Sequence, residues 1–262
     1  MLPAERGAVV FLHAHPDDEA IFTGGTMVRL AAAGWRVVLV VATGGELGLP
    51  VLAAGDASVA LGDRRKAETR AAAAALGVAR VDFLGYRDSG MAGSDTNTDP
   101  GCFAVADARI VGAVVAATIA EEGAETLVIY DEHGIYGHPD HIQVHQVGLA
   151  AAELAGVAVT YKATVDREYL HFVETHLVVE AGGHAGALGL AATDLGTPTV
   201  AVSTVVDVRE VLETKRRAMT AHASQMPETT SAMRLPTEAF AAVYGYEWFV
   251  RDGPPGPLDD LH

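Results

Sequence analysis

Two short segments of the chain are rich in side chains that bind metal ions or move protons. The first, residues 13–19, reads HAHPDDE, and the second, residues 133–141, reads HGIYGHPDH. His145 follows one helical turn beyond the second segment. Six of the eleven histidines lie in or just after these segments, where an even distribution would place fewer than one. Imidazole and carboxylate groups are the ligands of zinc and other first-row divalent metals, so the pattern indicates metal-assisted chemistry.

The spacing within each segment favours convergence of these groups. His15 and Asp18 are three residues apart, as are His138 and His141, and such residues project from one side of a helical turn. Pro16 follows His15 and Pro139 follows His138, at positions where the start of a helix tolerates the missing N–H of proline. Two such turns facing each other would supply ligands to one ion. The alternative is that these side chains only cap helices and form hydrogen bonds. The occurrence of two matching segments favours metal binding over helix capping.

A hydrolytic metal site also needs a base and an oxyanion donor. Asp17 and Asp18 are adjacent and point in different directions, so one can bind metal while the other acts as general base. His138 is placed to donate to developing negative charge, and Asp140 to hold a neighbouring imidazole in one tautomer. Two His and one Asp with an open position are typical of catalytic zinc, although iron(II) or another divalent ion accepts the same donors. The pattern predicts metal-assisted hydrolysis.

The elements around the two segments follow the pattern of an α/β protein. Val-rich runs predict strands at 8–13, 36–42, 79–84, 125–130 and 157–164. Ala-rich stretches predict helices at 19–33, 63–76, 104–121 and 139–155. Apolar strands separated by helices indicate a Rossmann-like, mostly parallel sheet with helices on both faces. Both histidine-rich segments leave the C-terminal end of a predicted strand, where open α/β sheets bind ligands.

The alternation weakens beyond residue 165. Residues 166–198 contain Gly-rich turns. The elements expected after them are a strand at 199–207, a helix at 209–222 and a strand near 243–251. The last ten residues, 253–262, hold three prolines without apolar periodicity, which predicts a flexible tail. No repeat or linker divides the chain, so we expect one domain over residues 1–252, with 166–252 as a variable part that caps the sheet.

The overall composition narrows the class of protein. Half of the 262 residues are apolar, which excludes global disorder. The net charge of −16 disfavours nucleic acid and anionic membranes as partners. No apolar run reaches the ~18 residues of a membrane span, and the strand predicted at 8–13 leaves no room for a signal peptide. Cys102 is the single cysteine, which fits a reducing compartment. We therefore expect a cytoplasmic globular protein.

The two segments closely resemble the signature of the PIG-L (LmbE-like) family of zinc-dependent deacetylases. Members of that family remove acetyl groups from substrates that contain N-acetylglucosamine. The resemblance is carried by AHPDDE at 14–19 and HPDH at 138–141. Shorter matching motifs are TGGE at 43–46, RKAE at 65–68, DSGM at 88–91 and HASQ at 222–225. It implies the LmbE-like α/β fold, a bound Zn²⁺, an amino-sugar substrate and a tendency to self-associate.

The family pattern also implies a role for each residue of the two main motifs. It makes His15, Asp18 and His141 the zinc ligands. It makes Asp17 the general base. The pairing of one carboxylate as ligand and the adjacent one as base agrees with the interpretation drawn from their spacing.

The remaining roles implied by the resemblance concern the substrate and the tetrahedral intermediate. His138 stabilises the oxyanion or protonates the leaving amine, with Asp140 as its supporting carboxylate. Tyr136 matches a tyrosine that assists the intermediate in enzymes of the mycothiol pathway. Arg65 and Asp88 match contacts to the substrate sugar in those enzymes.

The other histidines are interpreted as structural. His13 precedes His15 by two residues in the predicted strand, and we expect it to pack against the site rather than bind metal. His145 would form an HxxxH ligand pair with His141, an alternative that the family pattern disfavours. His133 is expected in a loop near the pocket. The structural assignment also covers His171, His176 and His184.

Several other functions compete with deacetylation. An amidase that cleaves a larger acyl group or a thiol conjugate would have the same metal centre. A dinucleotide-binding oxidoreductase would share the sheet, but the carboxylates of residues 13–19 replace GxGxxG and would repel a pyrophosphate. A serine hydrolase is disfavoured because GxSxG is absent from the sequence. A carbohydrate or metal binder without catalytic activity would not need Asp17.

Overall fold

The computed structural model describes residues 6–48, 60–173, 195–228 and 230–261. These residues contain a seven-stranded sheet in the order β3-β2-β1-β4-β5-β7-β6. The strands are β1 Ala8–His13, β2 Arg36–Thr43, β3 Arg80–Tyr86, β4 Thr126–Tyr130, β5 Val159–Thr164, β6 Thr204–Asp207 and β7 Tyr246–Asp252. The first five are parallel, and β7 is antiparallel to both of its neighbours. The predicted mostly parallel sheet is confirmed.

Helices flank this sheet. They are α1 Asp18–Phe22, α2 Gly24–Ala32, α3 Leu61–Leu76, α4 Ala108–Glu122, α5 Gly134–Gly137, α6 Pro139–Ala155, α7 Arg167–Phe172, α8 Leu212–Ala221 and α9 Thr237–Tyr244. Helices α2, α3 and α8 pack together, and α4 packs along α6. Every residue of β1 and all but the first of β2 are buried, as expected for central strands covered on both faces.

The strand order explains where the site lies. Strand β1 pairs with β2 on one side and with β4 on the other, so the chain reverses its direction of progress across the sheet at β1. At such a switch point the loops after the two central strands separate and leave a crevice. The segment 13–19 follows β1 and the segment 133–141 follows β4. The fold therefore brings both segments to one crevice.

The helix predicted at 19–33 is two helices in the structure. Thr23 lies between α1 and α2 with φ −138°, which no helical residue has. The carboxylate of Glu247 on β7 accepts the N–H groups of Gly25 and Thr26, each at 2.8 Å. A negative charge at the N-terminal end of a helix is favourable. The break therefore lets β7 bind the first turn of α2, a long-range contact that periodicity does not reveal.

The C-terminal part also differs from the expected elements. The strand expected from residue 199 begins at Thr204, because a 3₁₀ turn, Thr199–Ala201, follows Pro198. The last strand begins at Tyr246 and is preceded by α9, a helix that the sequence analysis did not predict. Most of the Gly-rich stretch 166–198 lies outside the described residues.

The prediction of a flexible C-terminal tail is wrong for the described residues up to 261. Leu258 and Leu261 are 1% and 7% exposed and belong to the main apolar core. Asp259 accepts hydrogen bonds from the hydroxyls of Tyr161 at 2.6 Å and Thr204 at 2.7 Å. The tail has no apolar periodicity in its sequence, yet Leu258, Leu261 and Asp259 hold it against the rest of the protein.

Candidate active site

The turn after β1 orients two adjacent carboxylates in different directions. Asp17 has φ 94° and ψ −29° and stands at the N-terminal end of α1, and Asp18 is the first residue of that helix. A positive φ is uncommon for a residue with a side chain and costs about 1–3 kcal/mol. Such strain persists at functional sites when neighbouring groups enforce it. Here it separates the direction of Asp17 from that of Asp18.

Asp18 lies between the two imidazoles predicted to bind metal with it. Its Oδ2 atom is 3.3 Å from Nδ1 of His15 and 3.2 Å from Nε2 of His141. The same oxygen accepts the backbone N–H of His15 at 2.8 Å. All three side chains are buried. The structure thus brings together the three residues that the family pattern names as ligands.

This group fits a divalent metal ion by its donors and its charge. Burial would raise the pKa of Asp18, but the imidazoles of His141 and His15 hold that pKa well below its ordinary value. The carboxylate is therefore ionised and can bind a cation. Two nitrogens and one oxygen also form the three-ligand set usual for catalytic zinc. The three ligand atoms lie within 4.8 Å of one another.

A second group of possible ligands shares His15. Atoms of His15, Asp88, His138 and Asp140 also lie within 4.8 Å of one another. The carboxylate oxygens of this group already accept N–H groups of the protein: Oδ2 of Asp140 from Ser89, and Oδ1 of Asp88 from Gly90. Asp18 Oδ2 likewise accepts an N–H, from His15, so these bonds do not distinguish the two groups; the family resemblance implies the first.

Asp140 contacts two histidines, each through a different group. Its Oδ2 atom lies 3.1 Å from Nε2 of His15, and its carboxylate also binds the backbone N–H and the hydroxyl of Ser89. The hydrogen bond between Asp140 and His138 is made by the backbone N–H of Asp140. The Asp140 carboxylate lies within 4.8 Å of the His138 ring, and its role as a support of His138 stays a prediction.

His138 is held as a neutral imidazole with a defined donor atom. It is the residue before α6, and its Nδ1 atom accepts the N–H of Asp140 at 3.1 Å. Burial, together with the nearby His15 and His141, lowers the pKa of His138 to about 4. Since Nδ1 is an acceptor, the hydrogen of the neutral ring is on Nε2. The free N–H of His138 can donate to an oxygen atom in the crevice.

Asp17 is a partly buried carboxylate, 17% exposed, beside a buried arginine. Burial raises the pKa of Asp17 to about 6, against the opposing effect of the Arg65 guanidinium. A nitrogen of Arg65 lies 3.3 Å from Oδ2 of Asp17. A raised pKa brings a carboxylate closer to the range in which it both accepts and releases protons at neutral pH. The environment suits a general base.

Arg65 is turned towards the protein rather than towards open space. Its side chain is 5% exposed. One terminal nitrogen donates to the carbonyl of Gly45 at 2.6 Å, and the other donates to the carbonyl of Pro16. The contacts of Arg65 to the turn that carries Asp17 were not predicted from the sequence. A contact with a substrate sugar remains a prediction.

Tyr136 and Asp88 border the same crevice. The Tyr136 hydroxyl is 3.3 Å from Nε2 of His141, and the residue is 40% exposed. The preceding Ile135 has φ 64°, and its N–H is held by Asp131 at 2.8 Å. Burial would raise the pKa of Asp88, but His15 and backbone N–H groups hold it below its ordinary value. Asp88 thus presents an ionised carboxylate at the edge of the site.

Two of the histidines interpreted as structural, His13 and His145, have hydrogen-bond partners in the protein. His13 binds the hydroxyl of Tyr130 at 2.7 Å and that of Thr23 at 2.9 Å, so both of its nitrogens are engaged. His145 contacts the carbonyl of Tyr130 through Nδ1 at 2.9 Å, and among the described residues it belongs to neither group of possible metal ligands. His133 is largely exposed in the loop. His171 is exposed on α7, and His176 and His184 lie outside the described residues.

Two contacts to the site were not foreseen from the sequence. Ser89 binds Asp140 through its backbone and side chain. Glu19 binds His222 at 2.6 Å and the backbone N–H of Asp17 at 3.0 Å. These residues lie in motifs that the sequence analysis identified, DSGM, HPDDE and HASQ. Their partners are far away in sequence, so spacing gave no signal for the contacts.

An apolar cavity of about 310 Å³ adjoins the site. Phe22 and Tyr136 line it, and Trp248 on β7 contributes to another wall. The Phe22 ring centroid is 6.2 Å from that of His141. The cavity is therefore next to the proposed metal ligands.

Comparison with known proteins places this site in a family. The model of the family described as "PIG-L: GlcNAc-PI de-N-acetylase" matches residues 10–152. The chain is 37% identical to the 1D-myo-inositol 2-acetamido-2-deoxy-alpha-D-glucopyranoside deacetylase of Thermobifida fusca, over 97% of this chain and 98% of that protein. Both comparisons include the two histidine-rich segments.

Solved structures support the fold. The N,N'-diacetylchitobiose deacetylase of Pyrococcus horikoshii is 21% identical, with a TM-score of 0.58 over 100% of this chain and 92% of that one. The 4-carboxy-2-hydroxymuconate hydratase of Pseudomonas putida is 17% identical, with a TM-score of 0.59 over 96% of this chain and 98% of that one. Since a hydratase shares the fold, the fold alone does not define the reaction. The family match and the 37% identical relative show that this chain belongs to the PIG-L family of de-N-acetylases.

Proposed function

We propose that this protein is a metal-dependent hydrolase that removes the N-acetyl group from the glucosamine unit of a small glycoside. The observation that carries the proposal is the position of Asp18 Oδ2, within 3.3 Å of both His15 and His141. The adjacent Asp17 is not one of these three proposed ligands, and the raised pKa of its carboxyl group suits a general base. The relative from Thermobifida fusca is named for an N-acetylglucosaminyl inositol substrate, which makes such a glycoside the first candidate.

His15, Asp18 and His141 would hold the metal, and we propose zinc because two imidazoles and one carboxylate are a usual catalytic zinc set. Iron(II) remains an alternative for the same donors. When bound, a divalent ion would polarise the amide carbonyl and make water more acidic. Asp140 lies 3.1 Å from Nε2 of His15; it would accept the N–H of that nitrogen and so leave Nδ1 to bind the metal.

Asp17 would perform the proton transfers of the reaction. Its carboxylate takes a proton from the attacking water as the new C–O bond forms. The same carboxyl group then gives that proton to the leaving nitrogen as the C–N bond breaks, so that acetate and a free amine are released. Arg65 holds Asp17 on one side and keeps its carboxylate in a fixed direction during both transfers.

His138 and Tyr136 would stabilise the negative charge that develops on the carbonyl oxygen. The neutral His138 ring presents an N–H because its Nδ1 is occupied by the Asp140 N–H. This geometry supports oxyanion stabilisation over protonation of the amine, the two roles left open by the sequence. The Tyr136 hydroxyl, next to His141 Nε2, would be a second donor. Placed donors of this kind are commonly a large contribution to catalysis.

The test is a panel of N-acetylated glucosamine derivatives: the inositol glycoside, free N-acetylglucosamine and N,N'-diacetylchitobiose. Released amine and released acetate are both quantified with the metal-loaded protein, and hydrolysis should give them in equal amounts. We expect turnover of at least one glycoside, its loss on removal of metal by a chelator and its recovery on addition of zinc. A metal-loaded protein without turnover on the whole panel would contradict the proposal.

A larger acyl group defines the second candidate. The apolar cavity beside Tyr136 is the observation that favours an amidase for longer acyl chains, whereas the relatives favour acetyl. A series of N-acyl glucosamines from acetyl to octanoyl separates the two. A kcat/KM that falls with chain length supports deacetylation, and one that rises supports the amidase.

We also propose that the protein acts in the cytoplasm, as one domain, and self-associates. Among the described residues, no helix has the length and apolarity required to cross a membrane. A polar glycoside and the net charge of −16 are compatible with action away from anionic lipid. Light scattering on the purified protein measures the oligomeric state directly.

A further inference from the structure

Glu19 and His222 form a buried pair that the roles above do not use. Nε2 of His222 lies 2.6 Å from Oε1 of Glu19, and both side chains are 0% exposed. The residues are 203 positions apart in sequence. Because His222 directly follows α8, the pair ties the end of that helix to the turn after β1.

The other oxygen of Glu19 holds the backbone of Asp17. Oε2 accepts the Asp17 N–H at 3.0 Å. The side chain of Asp17 makes no capping bond to α1, and its φ is 94°. A contact that fixes this N–H therefore helps to offset the cost of the positive φ. Glu19 and His222 together form a chain of two hydrogen bonds from α8 to Asp17.

Asp17 is thus held by groups from two different elements. Arg65 on α3 holds its carboxylate and the Pro16 carbonyl, whereas Glu19 holds its backbone N–H. Relaxation of Asp17 to a negative φ would turn its carboxylate relative to Asp18, which the His15 N–H holds in place. The relative orientation of the two carboxylates therefore depends on Glu19.

Packing alone does not explain the imidazole of His222. Its Nδ1 atom is buried, and no hydrogen-bond partner for it exists among the described residues. A buried polar group without a partner costs roughly 1–3 kcal/mol, so an apolar side chain would suit a position that only fills space. The benefit of the imidazole lies at its other nitrogen, because Oε1 of the buried Glu19 would otherwise lose this partner.

We propose that His222, acting through Glu19, is a positioning residue for the general base Asp17. This inference rests on the proposed function, in which Asp17 moves the proton. Loss of the His222 bond should lower kcat by roughly 10- to 100-fold, the effect of misplacing a reacting group by about 1 Å. The KM and the metal content should change little, because the three metal ligands are untouched.

A double-mutant cycle with Asp17 tests this directly. His222→Leu removes the donor at similar volume, and His222→Gln restores an N–H. We expect His222→Leu to lower kcat in the natural chain and to change the residual kcat of Asp17→Asn by less than about twofold. His222→Gln should recover most of the loss. A purely structural role would reduce kcat equally in both backgrounds and would overturn the proposal.

Ser224→Ala is the matched control, because Ser224 lies in the same segment but binds Glu68. It should leave kcat near that of the natural chain. If His222→Leu does not fold, Glu19→Met breaks the same pair from the other end. Unchanged kcat in a folded, metal-loaded pair-breaking variant would also overturn the proposal. Normal turnover by Asp17→Asn would instead contradict the proposed function, so the two failures are distinguishable.

Discussion

The carboxylate of Asp140 lies 3.1 Å from Nε2 of His15, on the opposite side of the imidazole from the Nδ1 atom that faces Asp18. With a metal bound at Nδ1, the ring hydrogen would be on Nε2, where Asp140 would accept it. Carboxylates in this position orient a metal-binding histidine and raise its basicity. Asp140 is also 0% exposed and bound to Ser89, so its own position is fixed.

Asp140→Ala should therefore weaken metal binding. We expect the metal dissociation constant to rise roughly 10- to 100-fold, the usual effect of removing such a support. Competition with a chromogenic chelator measures this constant. His145→Ala is the control, because His145 binds the Tyr130 carbonyl and should leave the constant unchanged. Natural affinity in Asp140→Ala would mean that His15 is not a ligand through Nδ1.

Arg65→Lys should reduce kcat more than it raises KM. Arg65 donates to the Gly45 and Pro16 carbonyls from two different nitrogens and lies beside the Asp17 carboxylate. The compact ammonium of lysine does not reproduce this planar fork of donors. We expect a fall in kcat of roughly tenfold or more, as for a misplaced base. Steady-state kinetics on the best substrate of the panel measure both constants. A change in KM alone would make Arg65 the sugar contact that the family resemblance implies.

Tyr136→Phe should also act mainly on kcat. The hydroxyl lies 3.3 Å from His141 Nε2. In the proposed mechanism it donates to the oxyanion, whose charge develops only as the reaction proceeds. An interaction made only in the transition state affects kcat. We expect a loss of about 10-fold or more with unchanged metal content. A pure rise in KM would identify Tyr136 as a substrate-binding residue, and no change would leave it a packing role.

Leu258→Ala should destabilise the fold without changing the chemistry. Leu258 is 1% exposed in the main core, and truncation of a buried leucine costs about 2–5 kcal/mol. Urea unfolding followed by circular dichroism gives this free energy. Because the tail packs against β5 through Tyr161, the kcat of the folded variant should be unchanged. An identical unfolding midpoint would show that the tail contributes nothing in solution.

The sheet and its crevice could be predicted because their signals are local. The apolar runs of β1, β2 and β4 and the proline that begins α6 are read from neighbouring residues. The position of both histidine-rich segments after strand ends then follows from the rules for parallel sheets. The motif spacing predicted a shared face for His15 and Asp18, and their contact through one carboxylate oxygen agrees with it.

The partners within the site could not be predicted, because they depend on three-dimensional proximity. Both His15 and His138 lie near Asp140, and no spacing rule tells which imidazole its carboxylate reaches. The pairing of Glu19 with His222 joins residues 203 positions apart. The packing of Leu258 could not be predicted because the proline-rich tail has no apolar periodicity.

The central claim is that two adjacent carboxylates divide the work, Asp18 as ligand and Asp17 as base. Metal content and turnover are measured on the same preparations of Asp17→Asn and of Asp18→Asn. We predict that Asp18→Asn loses most of its metal together with its activity. We predict that Asp17→Asn keeps its metal at the natural level while kcat falls by ~10²–10⁴-fold, the usual contribution of a general base. Metal-loaded Asp17→Asn with natural turnover would contradict the account.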